Sequence, residues 1–134
     1  MDLGSSTWTD ADGAGADLAL LPVGSTEQHG PHAPLATDTL IAEAVAAAGA
    51  DAYDDAVVVT PPLPFGVSAE HRAFPGTLWL SPDTFRAAVR EVVEGLVHRL
   101  GVEVLGPVGR GRLGFLLAGD VVAGWRQRHD QDDE

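Results

Sequence analysis

Residues 18–49 of the chain read LALLPVGSTEQHGPHAPLATDTLIAEAVAAAG, and this stretch decides the fold class. Its first six residues form an unbroken apolar run, which is typical of a strand buried on both faces. The residues that follow are rich in glycine and proline and predict a loop. The alanine-rich run over residues 39–48 predicts a helix that ends at Gly49.

Further elements follow in the same alternating order. Three valines and a threonine at residues 57–60 predict a second strand, which two prolines close. Residues 77–80 predict a third strand. A serine, a proline and an aspartate at residues 81–83 begin a helix whose apolar stripe extends over residues 82–100. Strands that alternate with helices predict an α/β fold with a mainly parallel sheet.

The chain length of 134 residues fits one domain. Residues 1–17 are a polar lead-in with too little apolar content for an element of their own. Residues 18–101 form the predicted domain, and residues 102–134 are a Gly/Arg-rich segment with an acidic tail of uncertain structure. Because no apolar run approaches the roughly 20 residues of a membrane span and no leader pattern is visible, we expect a cytoplasmic protein.

The chain is strongly acidic. It has 20 acidic residues and 8 basic ones, all arginine, which gives a net charge of −12. This balance argues against nucleic acid or an anionic membrane as a partner, since neutralising phosphates needs clustered basic residues. An acidic surface without lysine indicates a halophilic protein, in which concentrated salt screens the self-repulsion. The alternative is an ordinary acidic protein.

The loop after the first strand carries candidate metal ligands. Glu27 and His29 lie two residues apart, and Asp38 stands at the entrance to the predicted helix. Carboxylate and imidazole donors suit divalent zinc, manganese or iron, and loops after parallel strands are where open sheets bind ligands. Alternatively, Glu27 and His29 are surface residues and Asp38 only caps the helix.

Two long motifs, LPVGSTEQHGPHAPLATD at residues 21–38 and GVSAEHRAFPGT at residues 66–77, closely resemble those of the creatininase family of creatinine amidohydrolases. The resemblance extends from residue 18 to about residue 100. It implies a three-layer α/β/α fold and a binuclear metal centre with Glu27, His29 and a bridging Asp38 as ligands. Zinc is the expected metal, and manganese and iron are the alternatives.

The resemblance also implies a reaction and an assembly. Family members hydrolyse an amide C–N bond, often in a cyclic or formyl amide of a small molecule, with metal-activated water. They form homo-oligomers, commonly hexamers. We therefore expect hydrolysis of a small amide by a homo-oligomer.

Three further polar residues are weaker candidates. His32 lies between two prolines, where we expect it to orient ligands or support the loop. Glu70 and His71 belong to the second motif and are candidates for the substrate side of the pocket or for the shell around the ligands. The alternative for both is a solvated loop.

The resemblance ends after Gly101. Family members continue with a strand and an Asn-Gly-His loop that supplies further histidine and acidic ligands, and this chain lacks that loop. We therefore expect a fold incomplete at its C-terminus, with a truncation or a frameshift near residues 102–106. The alternative function is then an inactive fragment or assembly subunit with a partial metal site.

A remote alternative is dinucleotide binding through Gly109, Gly111 and Gly114, which match G-x-G-x-x-G. The match is weak, because this motif also needs a following helix, a second strand and an acidic residue about twenty positions later.

The charge predicts that added KCl stabilises the protein into the molar range, because salt screens the repulsion within a net charge of −12. Urea unfolding midpoints measured at increasing KCl test this prediction. Sucrose is the control, since it stabilises proteins by exclusion from their surface without screening charge. Midpoints that stay flat or fall with KCl would contradict the salt-adapted interpretation.

Overall fold

The computed structural model describes residues 1–102 and the backbone of residues 112–117. Its strands are β1 (Leu18–Val23), β2 (Val57–Val59) and β3 (Arg112–Leu117). Its helices are α1 (Trp8–Asp12), α2 (Thr37–Asp51) and α3 (Pro82–Leu100), with single 3-10 turns at Leu3–Ser5 and Ala69–His71. The three strands form one sheet in the order β2-β1-β3, and both pairs are parallel. The predicted α/β fold with a parallel sheet is confirmed.

The central strand β1 packs on both of its faces. Leu20 packs with Ala46 of α2 and with Val57. Leu21, the next residue, packs with Phe85 of α3. Because successive strand residues point to opposite faces, α2 and α3 lie on opposite sides of the sheet. This is the three-layer arrangement that the sequence motifs implied.

Local signals set the ends of α3. The Ser81 hydroxyl accepts a hydrogen bond from the Thr84 amide, and Pro82 occupies the first turn, where a missing N–H costs nothing. Gly101 ends the helix in the left-handed conformation with φ of 68°. The helix has the bounds that the sequence predicted.

Helix α2 is longer than predicted and begins without a side-chain cap. The Thr37 hydroxyl instead donates to the Pro34 carbonyl at 2.6 Å. Asp38 therefore lies inside the first turn and is not the capping residue. The helix also continues past Gly49 to Asp51, because α2 packs on β1 along its length and packing outweighs the modest helix penalty of one glycine.

Pro22 lies in the central strand, where proline is rare because it lacks an N–H group. The β1–β2 pairing ends at Leu20 and Val59, so Pro22 lies beyond the last paired residue of β2. The carbonyl of Pro22 accepts a hydrogen bond from Leu63 at 2.9 Å. The proline therefore removes no hydrogen bond from this ladder.

The end of β1 touches the beginning of α2 at Gly24. A Cβ atom on Gly24 would overlap the Cα and the nitrogen of Thr39. Both are backbone atoms, which cannot move aside as a flexible side chain can. Thr39 is buried, and its hydroxyl donates to the Ser25 carbonyl at 3.1 Å. This contact brings the first turn of α2 against the loop after β1.

The prediction of a third strand at residues 77–80 is wrong. In the described structure these residues form no strand, and Leu78 makes an isolated antiparallel bridge with Thr26. The Leu78 amide donates to Thr26, and the Leu80 amide donates to Gly66. These residues therefore pair with the loops that follow β1 and β2 and do not add a strand to the sheet.

The lead-in was also predicted wrongly, since it contains the 3-10 turn at Leu3–Ser5 and helix α1. Capping hydrogen bonds within the segment stabilise both elements, and Thr7 and Asp10 form a reciprocal capping box. The Thr7 hydroxyl lowers the pKa of Asp10. The main chain of Met1 also bonds to Val57 and Val59, so this segment borders the open edge of β2.

Strand β3 lies in the segment of uncertain structure and was not predicted. Residues 103–111 and 118–134 lie outside the described residues, and so do Gly109 and Gly111 of the glycine motif. Gly114 lies within β3, where the dinucleotide motif would require the start of a helix. Among the described residues, no helix is long and apolar enough to cross a membrane.

The contact at Gly24 predicts opposite effects for the same substitution at two glycines. Gly24→Ala is expected to lower the free energy of unfolding by about 1–3 kcal/mol, because the new methyl group overlaps the Thr39 backbone. Gly95→Ala in α3 is the control. A methyl group at residue 95 meets no atom within 4 Å and should raise that free energy by about 1 kcal/mol. Urea denaturation measures both, and equal midpoints for the two variants would refute the close approach.

Candidate metal centre

The loop after β1 and the first turn of α2 bring three predicted ligands together. Glu27, His29 and Asp38 each offer one donor atom, and these atoms lie within 4.8 Å of one another. Their side chains are partly exposed, at 12% for Glu27, 24% for His29 and 15% for Asp38. The group is therefore both preformed and open to solvent.

Asp38 is held from two sides. The hydroxyl of buried Ser25 donates to Asp38 Oδ2 at 2.5 Å, and His29 Nε2 lies 3.3 Å from Oδ1. The position in the first turn of α2 also favours a carboxylate, because the N-terminal end of a helix carries partial positive charge. The side chain is thus oriented with Oδ1 toward the other two donors.

The tautomer of His29 follows from its backbone contact. His29 Nδ1 lies 3.0 Å from the Glu27 carbonyl oxygen, which can only accept, so Nδ1 must donate. In the neutral ring, Nε2 then carries a lone pair that faces Asp38 Oδ1. Two acceptors that face each other are stabilised by a cation between them. The donor set therefore fits a metal ion, and a backbone carbonyl on the second nitrogen is the usual support of a histidine ligand.

His71 lies beside this group, although it comes from the 3-10 turn far along the chain. Its Nε2 atom is 3.7 Å from Glu27 Oε1, and its Nδ1 atom is 3.0 Å from Gln28 Nε2. The structure therefore brings His71 to the ligands rather than leaving it in a solvated loop.

The other two weak candidates do not join the group. His32 is exposed, and its ring lies over Gly30 rather than among the three donors. Glu70 is exposed and makes no hydrogen bond or ion pair with any residue that the structure describes. Only His71 of the three remains close to the candidate ligands.

Sequence reasoning missed Ser25, Gln28 and Thr39. Ser25 holds Asp38, Gln28 holds His71, and Thr39 fixes the loop through the Ser25 carbonyl. All three lie in or beside the first motif. Their adjacency to the ligands was the available signal, but a hydroxyl or an amide in a turn-rich loop has the same pattern as a solvent-facing one.

Comparison with known proteins gives a family for this geometry. Residues 4–105 match the family Creatininase, described as creatinine amidohydrolase. A mycofactocin precursor peptide peptidase of Mycolicibacterium smegmatis is 59% identical over 66 residues, which are 46% of this chain and 26% of that protein. A creatinine amidohydrolase of Pseudomonas putida is 30% identical over 104 residues, which are 72% of this chain and 39% of that protein. The chain spans less than half the length of either relative.

Solved structures agree with the family match. A creatinine amidohydrolase (creatininase) superposes with a TM-score of 0.72 at 26% identity, over 97% of this chain and 51% of that one. A manganese creatininase gives a TM-score of 0.70, and a mutant creatininase of Zn-Zn type gives 0.72, both at 26% identity with 97% of this chain and 51% of theirs covered. Since the family match extends over most of the chain and the fold agrees with it, this protein belongs to the creatininase family.

Proposed function

We propose that the chain carries a divalent-metal site that serves the hydrolysis of an amide C–N bond. The observation that carries this proposal is the convergence of Glu27, His29 and Asp38 within 4.8 Å. A neutral His29 directs its Nε2 lone pair toward the Asp38 carboxylate, and a cation between the two atoms would stabilise this arrangement. The creatininase family to which the chain belongs supports hydrolysis as the reaction.

Zinc is the proposed metal, with manganese and iron as alternatives. Two carboxylates and an imidazole form a donor set that each of these ions accepts. The similar structures of a Zn-Zn type creatininase and a manganese creatininase support the same set of ions. A bound ion would supply Lewis acidity toward an amide carbonyl and would acidify water.

The side chains around the site supply orientation. Ser25 fixes one oxygen of Asp38 and leaves the other free to bind. The Glu27 carbonyl fixes the ring of His29. Positioned donors avoid the cost of reorganisation when a metal or a substrate binds, which is how a rigid site favours reaction.

The number of metal-binding side chains limits how many ions this chain could hold without a partner, and therefore its activity. The described residues supply three clear donors, which with water can complete one tetrahedral ion, whereas two ions need about three or four donors each. We therefore propose that the chain alone binds one ion and hydrolyses amides only slowly. An inactive fragment or an assembly subunit is the alternative.

We propose a peptide amide as the substrate. The 59% identity to a mycofactocin precursor peptide peptidase supports this choice. Phe65, Leu78 and Trp79 are half-exposed and line one pocket, and Leu78 bonds to Thr26, the residue before Glu27. An apolar wall beside the metal loop suits an apolar side chain next to the cleaved bond. A small cyclic or formyl amide is the second candidate, supported by the creatinine amidohydrolase relative.

A homo-oligomer remains part of the proposal. Leu40, Ile41 and Val45 on α2 are each about half exposed. Apolar residues at this helical spacing form a stripe that a second copy of the chain could cover.

Loss of the Glu27 carboxylate is expected to weaken zinc binding. Glu27→Gln should raise the zinc dissociation constant by at least the roughly 10–100-fold that loss of a supporting partner costs, because a direct ligand is removed. Glu70→Gln is the matched control, because Glu70 is exposed and lies outside the group. Isothermal titration calorimetry on metal-free protein measures both constants. Equal zinc dissociation constants for the two variants would show that Glu27 is not a zinc ligand.

Zinc is also expected to stabilise the wild-type fold. At a free concentration about 100 times its dissociation constant, a ligand that binds only the folded state adds about 2.7 kcal/mol to the free energy of unfolding. Asp38→Asn should lose most of this gain while keeping a similar shape beside Ser25. Urea unfolding with and without zinc measures the gain, and its absence in the wild-type chain would contradict the proposed metal site.

The two substrate classes are separated by assaying peptide amides and creatinine beside a full-length relative. Release of a new amine is the measurement. We expect low turnover of peptides with an apolar residue at the cleaved bond. Turnover of creatinine alone would favour the second candidate, and turnover at the rate of the full-length relative would contradict the proposed dependence on donor number.

A further inference from the structure

We infer that Gln28 and His71 form a relay that orients Glu27, with His71 as a positioning residue that presents its Nε2–H group to the Glu27 carboxylate. The relay links the first motif to the 3-10 turn of the second motif. It rests on the proposed function only in its effect on metal affinity, because the contacts of the relay join side chains of the chain itself.

The first step is the orientation of the Gln28 amide. The Gly30 backbone N–H lies 2.9 Å from Gln28 Oε1. A backbone N–H can only donate, so the atom that faces it must be the amide oxygen. The other end of the Gln28 side chain is therefore the NH2 group.

The second step is the tautomer of His71. The NH2 group of Gln28 lies 3.0 Å from His71 Nδ1. Because that group can only donate, Nδ1 must accept and carries no proton. The proton of the neutral ring then resides on Nε2. Gln28 thus selects one of the two tautomers of His71.

The third step is the direction of the Nε2–H group. His71 Nε2 lies 3.7 Å from Glu27 Oε1, and both side chains are mostly buried, at 25% and 12% exposure. The two atoms are too far apart for a hydrogen bond, and a movement of about 1 Å would bring the Nε2–H group to the carboxylate. In this partly buried setting the His71 dipole favours one orientation of the Glu27 carboxylate.

The contrast with His29 supports separate roles for the two imidazoles. His29 donates from Nδ1 to a carbonyl and directs its Nε2 lone pair toward Asp38. His71 accepts at Nδ1 and directs an N–H group toward Glu27. A lone pair binds a metal ion, whereas an N–H group supports a ligand. The opposite tautomers therefore assign His29 to the donor set and His71 to its support.

The test begins with metal-free protein. Two-bond ¹⁵N–¹H correlation spectra at a pH where His71 is neutral should show the Nε2–H tautomer for His71 and the Nδ1–H tautomer for His29. Gln28→Leu should leave His71 without a fixed tautomer. A His71 ring in the Nδ1–H form in the wild-type chain would overturn the relay.

Side-chain couplings test the effect on Glu27 without metal. We expect one χ1 rotamer for Glu27 in the wild type and averaging in His71→Leu. Glu70, which is exposed, should be averaged in both proteins and is the internal reference. His71→Gln places an amide N–H group near the position of Nε2 and should restore the single rotamer. Unchanged Glu27 couplings in His71→Leu would overturn the positioning role.

Zinc titration then measures the consequence for binding. His71→Leu should raise the zinc dissociation constant by about 10–100-fold, as loss of an outer partner does, and His71→Gln should remain close to the wild type. His98→Leu, at an exposed histidine in the last turn of α3, is the matched control. If the wild type binds no zinc, the proposed metal function fails while the tautomer and rotamer results still decide the relay.

Discussion

The close approach of β1 and α2 at Gly24 is the constraint on which the site depends. The absence of a side chain at Gly24 lets the Thr39 backbone lie against the end of the strand. Asp38, the residue before Thr39, thereby comes within hydrogen-bond distance of Ser25. The contact closes the loop between Ser25 and Asp38. A central strand buried on both faces holds this arrangement in place, because neither helix can move without opening an apolar layer.

The elements that the sequence predicted well are those whose signals are local. Helix α3 has its cap, its proline and its terminal glycine within its own segment, so its bounds followed directly. The failures at the strands come from contacts between distant residues, whereas α1 was missed although its capping box lies within its own segment. Residues 77–80 pair with the loop at Thr26, and Met1 pairs with Val59, whereas β3 pairs with β1 across most of the chain. Hydrophobic periodicity contains no information about such partners. The lead-in is stabilised by capping and by pairing with the edge of β2, which need little apolar content.

The candidate site shows the same division. The residue types and spacing of Glu27, His29 and Asp38 made them candidate ligands, the family resemblance selected them over the alternative, and the structure brings all three together. His71 was predicted only as a weak candidate, since its position depends on a contact with Gln28 43 residues earlier. His32 was predicted to support the site because it lies between two prolines of the first motif. In the structure it follows the turn at Gly30 and is exposed to solvent. Proximity in sequence was thus a sound guide for the three donors, but it failed for His32 within the same loop and could not place His71.

The different sequence separations within the site have a consequence for the order of folding. His29 and Asp38 are 9 residues apart and Ser25 and Asp38 are 13 apart, so packing of α2 on β1 closes only a short loop. The contact of Gln28 with His71 closes a loop of 43 residues, and longer loops lose more conformational entropy on closure. The three proposed donors are therefore expected to come together early and the second motif to dock later, so that in a nascent chain Glu27 precedes its His71 partner.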